Sequence, residues 1–445
     1  MADIFPFRGI RYNTVKVGDL ANVTTPPYDV ISDEEQDMYY ERHPNNVIRL
    51  DKGKAGSNDD SRDNPYTRAA AYFNNWFAEG VLLKDANPCF YLTTVTFPVN
   101  GRRVTRYGLI GRVRLEPFEK GIILPHEETY SKIKSERLEL MKACHANFSH
   151  IFSIYTDRNN LIRTLRDRVR DLPPEAGFTD DAGHHHKMWC LDDPRTQETI
   201  QQAIKSRRLF IADGHHRYET ALTYRDWVAE STPDFGPDHP ANFIMMYLCS
   251  IEDEGLIVLP THRLLTRVPD SERGQFVKMA EDYFEVQRFP FGREAVGQEK
   301  ARAEMLEAMQ ADPARHIIGA YIKGCSEFHL LTLKPEVMKQ KFEKEIPEPL
   351  RELDVTVLTR VILTELLRFD QTDLDNESLI DYTSSAVEAI EGVDNGAYDM
   401  AFILNPPTHE QVRSIAEAGY TMPRKTTFYY PKAITGQVMN SLTED

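Results

Sequence analysis

The sequence predicts a mixed α/β fold, and three observations carry that reading. RRLFIA runs directly into Asp213-Gly214 and then a helical pattern, which makes a strand–turn–helix unit. From about residue 270 the chain alternates helical and extended patterns, and two long extended runs flank Asn100-Gly101. A chain of 445 residues has length for two or three domains and a large buried core. The pattern divides it at residues 1–268 and 269–445, the second part α/β or α+β.

In chain order, TTPPYDVIS comes first, where two prolines force an extended approach and Ser32 can cap a helix beginning DEEQDMYY. DKGKAGSNDDSRDN at 51–64 is a polar surface loop, followed by an aromatic-rich helix through AAAYFNNWFAEG that stops at Gly80. FYLTTVTFPV and RRVTRYGLIGRVRL make a hairpin across Asn100-Gly101. LPHEETYSKIKSERLELMKACHANFSHIFSIYTD is helical in its middle and extended at HIFSIYT. LIRTLRDRVRDL is a helix with Leu161, Leu165, Val169 and Leu172 on one face, and its interleaved arginines and aspartates form a solvated side. After Asp213-Gly214 comes a helix with Tyr218, Ala221, Leu222 and Val228 inward, then strands NFIMMYLCSI and GLIVLP. The remainder reads as a helix near 271–284, strands RHIIGAYIK and EFHLLTLK, helix LDVTVLTRVILTELL, strand MAFILN, helix THEQVRSIAEAG and an extended KTTFYYPK.

The 53 basic and 69 acidic residues give a net charge of -16, which repels phosphate backbones and anionic membranes at long range. No run approaches the roughly 18 apolar residues of a membrane span, and MADIFPFRGIRY lacks a secretory leader pattern, so a cytoplasmic location is expected. The five cysteines are scattered and never form a CxxC pair, which fits reduced, buried thiols.

The densest concentration of reactive side chains is IADGHHRYET, residues 211–220. A strand that ends in Asp-Gly and turns at once into a helix aims backbone N–H groups and a positive dipole end above the turn, as a phosphate site requires. Gly214 permits close backbone approach, Arg217 can neutralise phosphate charge, and Asp213 can hold a divalent cation or accept a proton. The plainer reading makes Asp213 a helix cap and His215 and His216 surface residues.

LPHEETYSKIKSER at 124–137 fails as a zinc helix, because position 130 is Tyr where a second histidine is needed. It still sets His126, Glu127, Lys132, Lys134 and Arg137 together, a potential carboxylate base beside phosphate-pairing cations. MPRKTTFYYPKAITG at 422–436 offers Lys425, Thr426 and Thr427 to an anionic group, and PTHRLL at 260–265 offers His262 and Arg263. His184, His185 and His186 form a run with no metal-specifying spacing and read as a surface strand or loop. Nucleotide P-loop, dinucleotide-binding and GxSxG patterns are absent.

PHEE at 125–128, ADGHHRYET at 212–220 and NPPTHEQVRSIAEAGYTMPRKTT at 405–427 resemble, in the same order, the motifs of the free serine kinases of the ParB/sulfiredoxin-like superfamily. With TTPPYDVIS and PTHRLL, the whole chain resembles a widespread prokaryotic family of unknown function that shares the Asp-Gly-His-His-Arg motif. The resemblance implies a ParB/sulfiredoxin-like core over about 112–265, an N-terminal extension, a C-terminal α/β domain, and an active site in the cleft between them. It implies a kinase that uses ADP or ATP and Mg²⁺ to phosphorylate free serine. Glu127 is the implied base, with Asp213 and His216 also catalytic and Asp213 on the metal. Gly214, His215 and Arg217, joined by His126, Lys134 and Arg137, are the implied nucleotide and phosphate ligands. Lys425, Thr426 and Thr427 face substrate or phosphate, with His262 and Arg263 beside them; Tyr28 and Asp29, outside the kinase motifs, are candidates for the acceptor pocket. Expected partners are therefore an amino acid and a nucleotide, without membrane. Two other readings use the same turn: a ParB-like nucleotide switch or DNA-binding protein, which calls for a basic helix-turn-helix that 218–270 does not show, and a phosphoserine phosphatase with water as acceptor.

Overall fold

The computed structural model describes residues 1–99, 101–125, 131–292, 295–312, 314–376 and 378–444, with the backbone alone at 131–134 and 295. The chain divides into two compact units, residues 1–257 with 429–445, and residues 258–428. The sequence pattern instead draws a boundary at 268 and runs the second part to the C-terminus. Two local pairings account for the difference. His262–Leu265 is an inner strand of the second unit's sheet, bonded on both sides. Beyond residue 429 the tail returns to the first unit, where Met439 bridges Ile10 and Asn440–Ser441 pairs with Ala146–Asn147.

Among the described residues, the first unit is built on a nine-stranded mixed sheet. Across it run Ile123–Leu124, Leu209–Asp213, Ile151–Tyr155, Phe243–Ser250, Arg102–Arg114, Phe90–Val99, His185–Leu191 and Ala176–Thr179, with Ile4–Phe5 also paired to Arg102–Arg114. The expected hairpin is present: Val99 lies opposite Arg102, and Gly101 takes the left-handed backbone (φ 75°) that such a tight loop demands. Phe243–Ser250 is buried at every position, because a strand covered on both faces can be a continuous apolar run rather than an alternating one. Leu92, Leu109, Ile151, Ile211 and Met246 of the sheet share one core with Tyr218, Ala221, Tyr224 and Val228 of the helix His215–Ser231. Leu161, Leu165 and Val169 of the helix Leu161–Val169 join that core. Leu172, expected on the same face, is 55% exposed because the helix has already ended.

The helix Asp33–Arg42 begins at Ser32 as expected, with a reciprocal capping box between Ser32 and Glu35. The second unit carries a six-stranded sheet in the order Phe284–Pro290, Glu327–Leu333, Ile317–Ile322, Met400–Ile403, His262–Leu265, Ile380–Thr383, antiparallel throughout. Helices Ala295–Met309 and Ala386–Asp394 bury Met305, Met309, Ile390 and Val393 against Ile317, Leu330 and Ile403. Among the described residues, no helix is long and apolar enough to cross a membrane.

Candidate functional site

The strand Leu209–Asp213 ends in an irregularity: its register against Ile151–Tyr155 shifts between Ile211 and Asp213. Such a bulge re-aims the side chain that follows it. Gly214 comes next at φ 94°, ψ 27°, a left-handed conformation glycine adopts without strain, and the helix His215–Ser231 starts immediately. Asp213 does not cap this helix. Its Oδ2 accepts a hydrogen bond from Arg217 Nη2 at 2.6 Å, one turn up, and its Oδ1 accepts one from Lys432 Nζ. Arg217 Nη1 also donates to the His150 carbonyl at 2.5 Å. A Cβ at position 214 would stand 3.0–3.1 Å from the Arg217 guanidinium, so the missing side chain lets that group fold back over the turn.

The side chains of Asp213, Arg217 and Lys432 are only 13%, 9% and 14% exposed. Burial by itself would raise the Asp213 carboxyl, but Lys432 and Arg217 outweigh it and hold the group well below the usual carboxylate range. The two cations respond in kind. Burial would lower both, yet Asp213, with help from Asp29, raises each above its ordinary value. The cluster is therefore charged throughout: one carboxylate shared by two cations, at the positive end of a long helix.

A second charged group adjoins it. Arg137, from the helix Ser131–Cys144, donates through Nη1 to the backbone carbonyl of Asp51 at 2.7 Å and contacts its Oδ1 at 3.2 Å. The same guanidinium lies 3.9 Å from the centre of the Tyr28 ring, close enough for a cation–π contact. Burial raises the Asp51 carboxyl against the pull of Arg137 and Arg217, and pushes the Tyr28 phenol up to about 12. Tyr28, Asp29 and Asp51 all act electrostatically on Arg217. The loop carrying Tyr28 is pinned to the C-terminal tail by reciprocal backbone bonds between Thr25 and Thr435, and that tail delivers Lys432.

Of the residues singled out from sequence, the first unit thus gathers Asp213, Gly214, Arg217, Arg137, Tyr28 and Asp29, with His215 buried and His216 half-buried on the same helical turn. His126 and Glu127 lie outside the described residues, as does the side chain of Lys134. Lys425, Thr426, Thr427, His262 and Arg263 belong to the second unit. There, Arg263 donates to the carbonyls of Thr261 (2.5 Å) and Arg424 (3.2 Å) and lies over the Tyr382 ring. His262 is buried, its Nδ1 accepts the Leu404 N–H at 3.2 Å, and burial pushes its imidazole down to about 4. Thr426 donates to the Pro423 carbonyl.

Sequence reasoning missed Lys432, Asp51 and His150. Lys432 stands in the same MPRKTTFYYPKAITG segment as Lys425, and only the path of the tail distinguishes them. The histidine run also requires correction: His184 and His186 are each 4% exposed, not on a surface strand or loop. Asp180 Oδ2 lies 2.8 Å from His186 Nε2 and 3.2 Å from His184 Nδ1, and these ligand-capable atoms fall within 4.8 Å of one another. Burial would raise the Asp180 carboxyl, but hydrogen bonds from His184 and His186 hold it well below its ordinary range.

The geometry defines a charged strand–turn–helix site built into a mixed sheet. The chain belongs to the family described as "Protein of unknown function (DUF1015)", which matches residues 4–356. None of the curated proteins matches it. Among solved structures it is similar to a conserved hypothetical protein from Pyrococcus furiosus, at 12% identity and a TM-score of 0.34, covering 74% of this chain and 94% of that one. It is also similar to a free serine kinase in complex with AMP, at 13% identity and a TM-score of 0.36, covering 74% and 90%. A third is SbnI with a C-terminal truncation from Staphylococcus aureus, at 10% identity and a TM-score of 0.33, covering 74% and 86%. Likenesses at these scores decide neither fold nor activity.

Proposed function

We propose that this chain is a nucleotide-dependent phosphotransferase acting on a small hydroxyl substrate, free serine or O-phosphoserine, within a ParB/sulfiredoxin-like core. The observation that carries the reading is the buried Asp213–Arg217–Lys432 cluster at the left-handed Gly214 that opens the helix His215–Ser231. Phosphoryl transfer asks little covalent chemistry of a protein and much positioning and charge neutralisation. Arg217 and Lys432 supply fixed positive charge for phosphate oxygens, the glycine turn lets the backbone approach, and Asp213 keeps both cations aimed. Arg137, stacked on Tyr28, adds a third cation on the side of the TTPPYDV loop. The motif resemblance supplies Glu127 as the base that takes the proton from the acceptor hydroxyl, and ADP or ATP as the nucleotide.

Mg²⁺ is tested by the donor set. Both Asp213 oxygens are already held by cations, so Mg²⁺ does not fit beside Arg217 and Lys432 as they stand. Asp213 would be free to hold it only once nucleotide phosphates had drawn those cations away. When so bound, it would add charge neutralisation at the phosphates.

The test is direct. Purified full-length protein is incubated with Mg²⁺, ADP or ATP, and radiolabelled serine, and in reverse with phosphoserine. Phosphoserine formation or consumption is expected, lost in Glu127→Gln. The reading fails if no transfer occurs in either direction and Glu127→Gln behaves as wild type. Phosphate release from phosphoserine without nucleotide would instead make the site a phosphatase.

A further inference from the structure

We propose that Arg106 forms an oxyanion subsite in the first unit, which takes one oxygen of the carboxylate or of the phosphoryl group of a small acceptor. The identity of that acceptor, though not the subsite itself, rests on the phosphotransfer reading above.

Arg106 sits in the strand Arg102–Arg114 and is 1% exposed. Its Nε donates to Tyr247 Oη at 3.1 Å, and its guanidinium lies 5.0 Å from the Phe152 ring centre and 5.5 Å from that of Tyr247. Its Nη1 is buried with no hydrogen-bond partner. Among the described residues, no carboxylate forms an ion pair with it. Asp253, the carboxylate that acts on it electrostatically, already accepts the N–H groups of Tyr107 at 3.2 Å and Gly255 at 2.8 Å. A guanidinium never loses its charge in a protein, and a buried one without a counter-ion is costly. Such a group, with a donor left over, is built for an anion that arrives from outside.

The place for that anion is a small cavity lined by Thr93, Thr94, Arg106, His150, His186 and Lys432. It has room for about one water-sized atom, which is the size of a single oxyanion oxygen. The charged and titratable groups that line it are Arg106, Lys432, His150, His186 and Tyr247, with Asp213 behind Lys432 and Asp180 behind His186. His150 is pushed down to about 4 by burial, Arg217 and Arg106, so its ring adds no third charge and registers the positive potential of the pocket.

The cavity also abuts the Asp213 cluster. Lys432 belongs to both, and the His150 carbonyl holds Arg217. In serine only two carbons separate carboxylate from hydroxyl oxygen, so an anchor for one must lie against the phosphate site for the other. That proximity selects a small hydroxy acid or amino acid over a longer acceptor.

Isothermal titration of the full-length protein tests this with serine, serinamide and inorganic phosphate as probes, in wild type, Arg106→Met and Arg106→Lys, each checked for native circular dichroism. Arg106→Met keeps an apolar stem on Phe152 and Tyr247; Arg106→Lys keeps the charge should the first fail to fold. Serine is expected to bind about 10- to 100-fold more weakly to Arg106→Met, the worth of a hydrogen bond to a charged group, with a smaller loss in Arg106→Lys. Serinamide, which lacks the carboxylate, is expected to bind wild type as poorly as serine binds Arg106→Met. If phosphate but not serine depends on Arg106, the phosphoryl group is the occupant. The proposal is overturned if wild type binds neither oxyanion, or if neither affinity changes in the folded variants. Because binding is read without turnover, a protein that transfers no phosphoryl group yet binds serine through Arg106 retains the subsite and loses the kinase reading.

Discussion

Asp213 is an anion shared by two nearly buried cations, and replacing it with asparagine isolates that role. Asp213→Asn keeps the shape and removes the charge, leaving Arg217 and Lys432 facing each other beneath the surface. Removing one member of a buried ion pair costs about 3–5 kcal/mol, because the partner is left uncompensated. Lys432→Met is milder, since Asp213 keeps its 2.6 Å bond to Arg217, and its expected cost is about 1.5–3 kcal/mol. In the double variant only Arg217 remains, still donating to the His150 carbonyl, so the two costs should not add. The expected coupling is at least about 1 kcal/mol, well above the roughly 0.5 kcal/mol scatter of independent sites. Urea unfolding of the four proteins, followed by a probe of the first unit, measures it. Additivity within that scatter would refute the claim that these three side chains act as one electrostatic unit.

Gly214→Ala must place a Cβ at φ 94° and 3.0–3.1 Å from a guanidinium held at both ends; the expected destabilisation is about 1–3 kcal/mol, read as a drop in urea midpoint. Gly255→Ala should be at least as harmful, about 2–3 kcal/mol, because its Cβ would meet the backbone of Thr105 and Arg106 at 2.5–2.6 Å, where no rotamer change relieves it. His150 and His262 are both pushed down to about 4 by burial. As pH falls below the unfolded value of about 6.5, the unfolded chain takes up protons that the folded one refuses, so stability drops until pH reaches about 4. Between pH 7 and 5 the loss should be about 2 kcal/mol per histidine; a flat unfolding midpoint across that range would contradict their neutral burial.

Much of the architecture was legible because its signals are local. The hairpin closed at Gly101, the Ser32–Glu35 capping box and the Asp213-Gly214 turn each depend on a few adjacent residues whose backbone preferences or side-chain hydrogen bonds leave little choice. The same locality makes Asp213, Gly214 and Arg217 readable as a unit, since i and i+4 on a helix start must meet. Leu172 escaped because periodicity does not say where a helix ends, and the buried His184 and His186 escaped because a polar run gives no sign of a carboxylate folded over it.

Local sequence thus specifies the element types, the strand–turn–helix with its Asp, Gly and Arg, and the motifs on which the proposed phosphotransfer rests. Tertiary structure decided which distant residues complete the charge balance. Whether Lys432 or Lys425 reaches Asp213 depends on the C-terminal tail pairing with Thr25, Ile10 and Asn147, a long-range strand choice invisible to any local window. Whether Arg106 is a solvated strand residue or a buried cation depends on Phe152 and Tyr247 closing over it from neighbouring strands. Local backbone chemistry writes the turn; the counter-charges come from contacts that exist only once the sheet has closed.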